Sequence, residues 1–354
     1  DALNIQQDGK QFGPRDVNNY MILNKKSFTK PDIDGLNVQL TIPVTLQKRV
    51  EKSILKIKEE LDADEIMAVV MESSTGKIIS LASSNRYLPN NIHKSDYPSL
   101  NANVVEYSFE PGSVIKPFVF AMLLEHKLVN PYDLVNGYGG RMKLGRKVIT
   151  DEHKFDWLSA ENVIVHSSNI GIAQLAQKLP ALDYYQGLID FGFAQSSGLQ
   201  LPYEKKGKVP AINQFKDEIY KATASYGYGI NVNVMQLLKA YNIYNNRGRI
   251  LQPYMVENLI DMHGNIRKIA PEGSTQILSQ ATAERMKGIL IKTVDKGTGV
   301  GAITEGLEVG GKTGTAHIAE RGRYVRKYNT SFFGFANDAK SKYTIGVTVI
   351  QPKA

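Results

Sequence analysis

The end of the chain constrains its fold more than any other part. Three strand-like segments close it: Glu308 to Ile318, Thr330 to Ala336 and Tyr343 to Ile350. Two more stand near the start. Ile66 to Met71 is a continuous apolar run, and Lys77 to Ala82 follows it across the turn residues Ser73-Ser74-Thr75-Gly76. That pair reads as a hairpin. The apolar residues between these two groups are spaced as in helices. Strands at both ends of a domain with helices between them predict one antiparallel sheet assembled from its termini, an α+β fold.

The helices follow from spacing. Val44, Leu46, Val50, Ile54, Leu55, Ile57 and Leu61 recur at helical intervals with Lys and Glu between them, over Pro43 to Leu61. The breaker Glu110-Pro111-Gly112 precedes a second helical pattern, Val114, Ile115, Phe118, Val119, Met122 and Leu123, which ends near Glu125. Further helices are predicted over 158–179, Val234 to Tyr244 and 280–294. Residues 1–36 are polar and interrupted by Gly9, Gly13, Pro14 and Pro31, so they read as a tail or a fragment of another domain.

Composition removes several classes of function. The chain has 354 residues, 42% of them hydrophobic, enough to bury a substantial core in one large domain or two. It has no cysteine, which excludes a disulfide scaffold, a thiol nucleophile and thiolate metal sites. Its six histidines lie far apart with no metal-ligand spacing, so neither a metal nor a cofactor is expected. The formal charge is +8, but Lys25-Lys26 and Lys205-Lys206 are short pairs and not the stripe of a nucleic-acid binder. No apolar run reaches the roughly 18 residues of a membrane span, and the start at Asp1-Ala2-Leu3-Asn4 is not a signal peptide.

Three short motifs carry chemistry. In Ser113-Val114-Ile115-Lys116 a spacing of three puts the hydroxyl and the amine on one helix face. Serine is a weak nucleophile until a neighbour takes its proton. Lysine can do so if burial or another cation depresses its pKa. A helix start also leaves N–H groups free for an oxyanion. In Ser167-Ser168-Asn169 a hydroxyl and a carboxamide two residues apart can relay a proton and hold an amide. In Lys312-Thr313-Gly314-Thr315, on an edge strand, a cation and hydroxyls suit a carboxylate, and Gly314 leaves room for a peptide backbone. Strand alternation puts Thr313 and Thr315 on one face and Lys312 on the other, toward Ser167 and Lys116. Taken singly, each motif is as well explained by a helix cap, a polar turn or a solvated lysine. Together and in this order they match the trio of β-lactamases and penicillin-binding proteins.

The likeness extends beyond the trio. Phe109-Glu110-Pro111-Gly112-Ser113-Val114-Ile115-Lys116-Pro117 resembles the active-site segment of class B penicillin-binding proteins. His166-Ser167-Ser168-Asn169-Ile170-Gly171 is similar to their second motif, and Gly322-Arg323-Tyr324 through Phe332-Phe333-Gly334-Phe335-Ala336 is also family-like. Ser225-Tyr226-Gly227-Tyr228-Gly229 followed by Val234-Met235-Gln236-Leu237 resembles the division-type (septal) branch; the elongation-type branch carries Gly-Gln-Gly there. The resemblance runs from about residue 37 to the end. It implies an antiparallel sheet with helices on both faces, as in serine β-lactamases. It also implies that residues 37–354 are the transpeptidase domain and residues 1–36 the remnant of a non-catalytic pedestal. The family's membrane helix and C-terminal helix are not in this sequence.

By the resemblance, Ser113 attacks the penultimate D-Ala carbonyl of a stem peptide. Lys116 is the acylation base, Ser167 moves the proton to the leaving amine, and Asn169 holds the substrate amide and orients Lys116. Lys312, Thr313, Gly314 and Thr315 bind the terminal carboxylate, with the backbone N–H groups of Ser113 and Thr315 as oxyanion hole and Tyr324 lining the pocket. The implied partners are peptidoglycan stem peptides, β-lactams, a membrane glycan polymerase and other division proteins. The implied location is the cell membrane, with the catalytic domain on the extracytoplasmic (periplasmic) side. Competing readings are a D,D-carboxypeptidase, a β-lactamase, or a silent scaffold that only binds β-lactam or wall peptide. A class A β-lactamase would bring a Glu to activate water, and the one candidate, Glu161, lies on the helix leading into the second motif.

Overall fold

The computed structural model describes residues 2–320 and 323–353; Asp1, Arg321, Ala354 and Gly322 of the family-like segment lie outside it. The chain divides into two compact units, one formed by Asp1–Thr41 with Tyr254–Glu272 and the other by Ile42–Pro253 with Gly273–Ala354.

The smaller unit is built of short strands. β1 (Lys10–Phe12) pairs with β2 (Phe28–Lys30), and β3 (Asn37–Leu40) joins β11 (Val256–Ile260) and β12 (Ile266–Lys268) in the order β12-β11-β3. Residues 37–40, which the sequence reading puts at the head of the larger domain, thus pair with residues more than 200 positions away. Strands this short and exposed carry no periodicity to read.

The larger unit is organised on a five-stranded antiparallel sheet in the order β14-β15-β16-β4-β5. Its strands are β4 (Glu65–Glu72), β5 (Ile78–Ser83), β14 (Glu308–Glu320), β15 (Arg323–Asn337) and β16 (Lys342–Ile350). The last strand pairs with the first, Ile350 opposite Glu65 and Tyr343 opposite Glu72, so the sheet is assembled from the two ends of the unit as the strand pattern predicts. β14 is an edge. Three small pairs lie outside the sheet: β6 (Leu134–Asn136) with β9 (Trp157–Ser159), the hairpin β7 (Arg141–Leu144) with β8 (Lys147–Thr150), and β10 (Arg249–Ile250) with β13 (Thr275–Gln276).

Nine helices complete it among the described residues: α1 (Val44–Leu61), α2 (Asn103–Glu106), α3 (Lys116–Glu125), α4 (Ala160–Val165), α5 (Asn169–Ala176), α6 (Ala181–Asp190), α7 (Glu218–Ser225), α8 (Val234–Asn245) and α9 (Gln280–Lys296). Side chains alternate across the sheet, and helices cover both faces. On one face Ile66, Ala68 and Ala82, with Val347 and Val349, pack against Ile54 and Val50 of α1. Truncating the buried Ile54 to Ala would cost about 2–5 kcal/mol. On the other face the ring of Phe333 lies 5.7 Å from Tyr241 of α8. Asn242 on the same helix accepts from Thr344 and donates to Ser73 O, so both polar groups of its buried side chain are satisfied.

α3 is the central helix. Every residue from Lys116 to Leu123 is buried, and a helix apolar all round belongs in a core. Phe118 is enclosed by Phe191, Phe193, Tyr241 and Tyr244, ring centroids 5.0–5.6 Å away.

The single helix predicted over 158–179 is instead strand β9 and two helices, broken at His166–Ser168. Serine explains both restarts. Ser159 accepts from the N–H of Asn162, and Ser168 from that of Gly171, each satisfying a donor that a helix start leaves open.

Candidate active site

Ser113 lies on a 3-10 turn, Gly112–Ile115, which leads directly into α3. The turn is pinned from two sides. Tyr241 Oη donates to Val114 O at 2.7 Å. Gly112 has φ +60°, and a Cβ there would stand 2.7 Å from Thr315 O, so only glycine lets the turn approach β14 this closely. The sequence reading gives Gly314 the task of making room for substrate backbone. The space its missing side chain leaves is bounded by Val114 Cγ1 at 2.8 Å and Pro111 O at 3.1 Å, so it also seats the turn that carries Ser113.

Lys116, one turn after Ser113, has no exposed surface. Its Nζ donates to Ser167 O at 2.6 Å and to Ser167 Oγ at 3.1 Å. Burial holds its pKa well below the ordinary lysine value, the charge of Lys312 lowers it further, and Asp151 and Glu152 oppose them. The amine therefore tends to the neutral form, which can accept a proton.

Ser167 sits in the break between α4 and α5 with φ +59°, a left-handed conformation that a non-glycine residue adopts only when its surroundings impose it. The carboxylate of Asp151 anchors the three residues that follow Ser167. It accepts from Ser168 Oγ, from Asn169 N at 2.6 Å and from Ile170 N at 3.0 Å. The side-chain amide of Asn169 donates to Thr150 O at 3.0 Å. The hydrogen bonds of Lys116 go to Ser167.

Lys312 is also wholly buried; its Nζ donates to Thr298 Oγ1 and to Thr313 O, both at 3.1 Å. Thr313 Oγ1 donates to the same Thr298 hydroxyl at 3.1 Å. Burial lowers the pKa of Lys312 to about 7. Thr315 is exposed, and its hydroxyl has no hydrogen bond among the described residues. Tyr324 Oη donates to Glu110 Oε1 at 3.2 Å, and its ring meets Tyr228 edge-on at 5.3 Å.

An open cleft of about 1020 Å³ collects Ser113, Ser167, Asn169, Thr313, Gly314, Thr315 and Tyr324. Lys116 and Lys312 lie buried behind its wall. Asp151, Thr298, Tyr226, Tyr228 and His317 share the lining. Asp151 and Thr298 are not reached by sequence reasoning; the only signal for Thr298 is its place between Gly297 and Gly299. Glu110 appears in the family-like segment without a role. Its Oε1 accepts from Gly229 N at 2.7 Å and so ties the 225–229 segment to the nucleophile segment. Glu161, the candidate water activator, instead accepts from Lys292 at 2.8 Å and is not among the cleft residues.

The family model for the penicillin binding protein transpeptidase domain matches residues 66–354. The probable peptidoglycan D,D-transpeptidase PenA of Neisseria flavescens is 29% identical over 288 residues, 81% of this chain and 69% of that protein. The peptidoglycan D,D-transpeptidase FtsI of Buchnera aphidicola is 27% identical over 347 residues, 98% of this chain and 58% of that protein. The chain spans little more than half the length of most curated relatives it matches. Penicillin binding protein 3 of Mycobacterium tuberculosis, solved with aztreonam, superposes with a TM-score of 0.86 at 25% identity, covering 97% of this chain and 82% of that one.

Proposed function

The chain belongs to the penicillin binding protein transpeptidase domain family, and with relatives of these names it is a class B penicillin-binding protein; from this premise we infer that it is a serine-type peptidoglycan D,D-transpeptidase of septal wall synthesis and a covalent target of β-lactams. The observation that carries the reading is the buried Lys116 amine, kept toward neutrality by burial and by Lys312 and hydrogen-bonded to Ser167.

The proposed chemistry follows. Ser113 Oγ attacks the penultimate D-Ala carbonyl of a stem peptide while Lys116 Nζ takes its proton. The oxyanion is held by the N–H groups of Ser113 and Thr315. The C–N bond then breaks. The leaving D-Ala amine receives the proton from Lys116 through the Ser167 hydroxyl, leaving an ester on Ser113. The amine of a second stem peptide attacks that ester, a new amide forms and Ser113 regains its proton. Asn169 would hold the substrate amide. Thr313 and Thr315, with the charge of Lys312 behind them, would bind the terminal carboxylate, and Tyr324 would flank it. With Glu161 occupied by Lys292, no cleft residue in this scheme is assigned to activate water, which favours a transferase over a β-lactamase.

Residues 1–36 are read as the remnant of the pedestal. The partners are stem peptides, a membrane glycan polymerase and other division proteins, with the catalytic domain on the extracytoplasmic side of the cell membrane. Among the described residues no helix is long and apolar enough to cross a membrane.

Labelling with a fluorescent penicillin, followed by assay of D-Ala release with amine acceptors, tests the reading. Wild type should form a stable adduct and transfer the acyl group to amines, and Ser113→Ala should do neither. A penicilloyl adduct in the intact mass of Ser113→Ala would overturn the assignment.

A further inference from the structure

Among the described residues two carboxylates line the cleft, Asp151 and Glu152. Asp151 is committed to Ser168, Asn169 and Ile170. Glu152, the next residue, is exposed and has no hydrogen bond or ion pair among the described residues. The scheme for acylation leaves it without a task. Its charge acts on both buried amines, Lys116 and Lys312, so its carboxylate lies near the two of them.

That end of the cleft is where the leaving D-Ala sits in the proposed chemistry. Its amine takes the proton of Lys116 through Ser167, and its carboxylate meets Thr313 and Thr315 with Lys312 behind them. The second half of the reaction is the first half run backwards with a new amine, so the acceptor approaches from the side D-Ala has left. The incoming amine is thus delivered to the end of the cleft that Glu152 borders. An aliphatic amine has a pKa of about 10.4 and arrives as an ammonium ion. Lys147 on the lining, and any proton on Lys312 behind it, repel such an ion. A free carboxylate offsets that repulsion, and its charge-assisted hydrogen bond to an ammonium is about twice as strong as a neutral one. D-Ala has by then departed with its own carboxylate, so no ligand anion competes.

We propose that Glu152 binds the ammonium end of the acceptor stem peptide and sets a preference for a cationic acceptor. The proposal rests on the transpeptidase reading and extends it to the second substrate. Lys116, neutral once D-Ala has left with the proton, takes one proton from the bound ammonium. The freed lone pair forms the C–N bond and the ester C–O bond breaks. Ser113 Oγ takes the proton back from Lys116, and the proton that the new amide nitrogen sheds goes to water. Glu152 itself exchanges no proton and is a positioning residue.

The test acylates the full chain with a D-alanyl thioester and follows transfer of the acyl group to two acceptors and to water, at about pH 7.5. Nα-acetyl-lysine amide is an ammonium ion at that pH, and methoxyamine is uncharged. Transfer to the lysine derivative should saturate in wild type. Glu152→Gln should lower the preference for the lysine derivative over methoxyamine about tenfold, as loss of a charge-assisted contact predicts. Glu152→Asp keeps the charge and should hold that preference within about threefold of wild type. An effect exerted only through the charge on Lys116 moves both acceptors alike and cancels in the ratio. The proposal is overturned if the lysine derivative does not saturate, or if Glu152→Gln leaves the preference unchanged. It is also overturned if the main effect of Glu152→Gln is to slow hydrolysis, which would make the carboxylate an activator of water. Each of these results leaves the transpeptidase reading standing. A wild type that the thioester does not acylate overturns that reading, and this proposal with it.

Discussion

The amine of Lys116 lies 2.6 Å from the main-chain oxygen of Ser167 and 3.1 Å from its hydroxyl. Two motifs more than fifty residues apart thus meet through a backbone atom as well as a side chain. Only a Ser167 in its left-handed conformation is seen to present both oxygens to the amine. Whatever holds that conformation therefore also positions the proton acceptor.

Asp151 anchors the three residues that follow Ser167, and removing it should separate chemistry from folding. Asp151→Ala leaves the N–H groups of Asn169 and Ile170 and the hydroxyl of Ser168 without their acceptor. We expect a stability loss of about 1–2 kcal/mol, the scale of a lost helix cap. The acylation rate should fall at least about tenfold, toward the 10²–10⁴ that general-base help supplies. Stopped-flow acylation and thermal melts on the same variant check this. A variant that melts early yet acylates at the wild-type rate would reduce Asp151 to a structural cap.

Lys312 links pH to both stability and rate. Burial lowers its pKa from the ordinary 10.5 to about 7. Between about pH 7 and 10.5 the unfolded chain holds a proton that the folded chain has released, so stability rises with pH across that window. Below it both states are protonated, and the buried charge exerts its full cost. Lys312→Met should therefore raise the melting temperature most near pH 6–7, by at least about 2 °C, with the gain shrinking toward pH 10. The same change removes a positive neighbour of Lys116 and should shift the acidic limb of the acylation profile to higher pH. A gain in melting temperature that is flat from pH 6 to 10 would contradict the depressed pKa.

The sheet and the three motifs were legible because they depend on local pattern. Alternation marks β14 to β16, and the spacing of Ser113 and Lys116 puts them a turn apart whatever surrounds them. The partners of those motifs were not legible. Asp151 meets Ser168 through a tertiary contact, and Thr298 meets Lys312 in the same way; neither carries a periodic signal. The break at Ser167 was hidden because the apolar residues on either side continue a helical rhythm, while the capping serines that interrupt it also occur within helices. The pairing of Asn37–Leu40 with Val256–Ile260 joins two segments of four and five residues, too short to give a strand signal alone.

Gly227 should tolerate no side chain. Its φ is +95°, and a Cβ there would lie 2.2 Å from Gly112 O and 2.4 Å from Gly112 N. Gly112 cannot yield, since it already abuts Thr315 O on its other side. Gly227→Ala should displace the turn that carries Ser113. The expected result is a loss of about 1–3 kcal/mol from backbone strain and penicillin labelling slowed at least about tenfold. Labelling at the wild-type rate in a folded Gly227→Ala protein would show that the 225–229 segment does not set the nucleophile's position.

Thr315 and Lys312 should differ in what they contribute to ligand choice. The Thr315 hydroxyl is exposed on the cleft and has no hydrogen bond among the described residues, so it is available to a ligand carboxylate. Lys312 is fully buried, bonded to Thr298 and Thr313 O, and acts through its charge. Thr315→Val should slow acylation by a cephalosporin about tenfold, since hydrogen bonds to charged groups contribute about 1.5–3 kcal/mol. It should leave the methyl ester of the same cephalosporin within about twofold of wild type. Lys312→Ala should slow both ligands, because it raises the pKa of Lys116 whatever the ligand carries. Acylation rates for the acid and its ester against the two variants decide the matter. If Thr315→Val slows the ester as much as the acid, Thr315 does not read the carboxylate, and its place on the strand is structural.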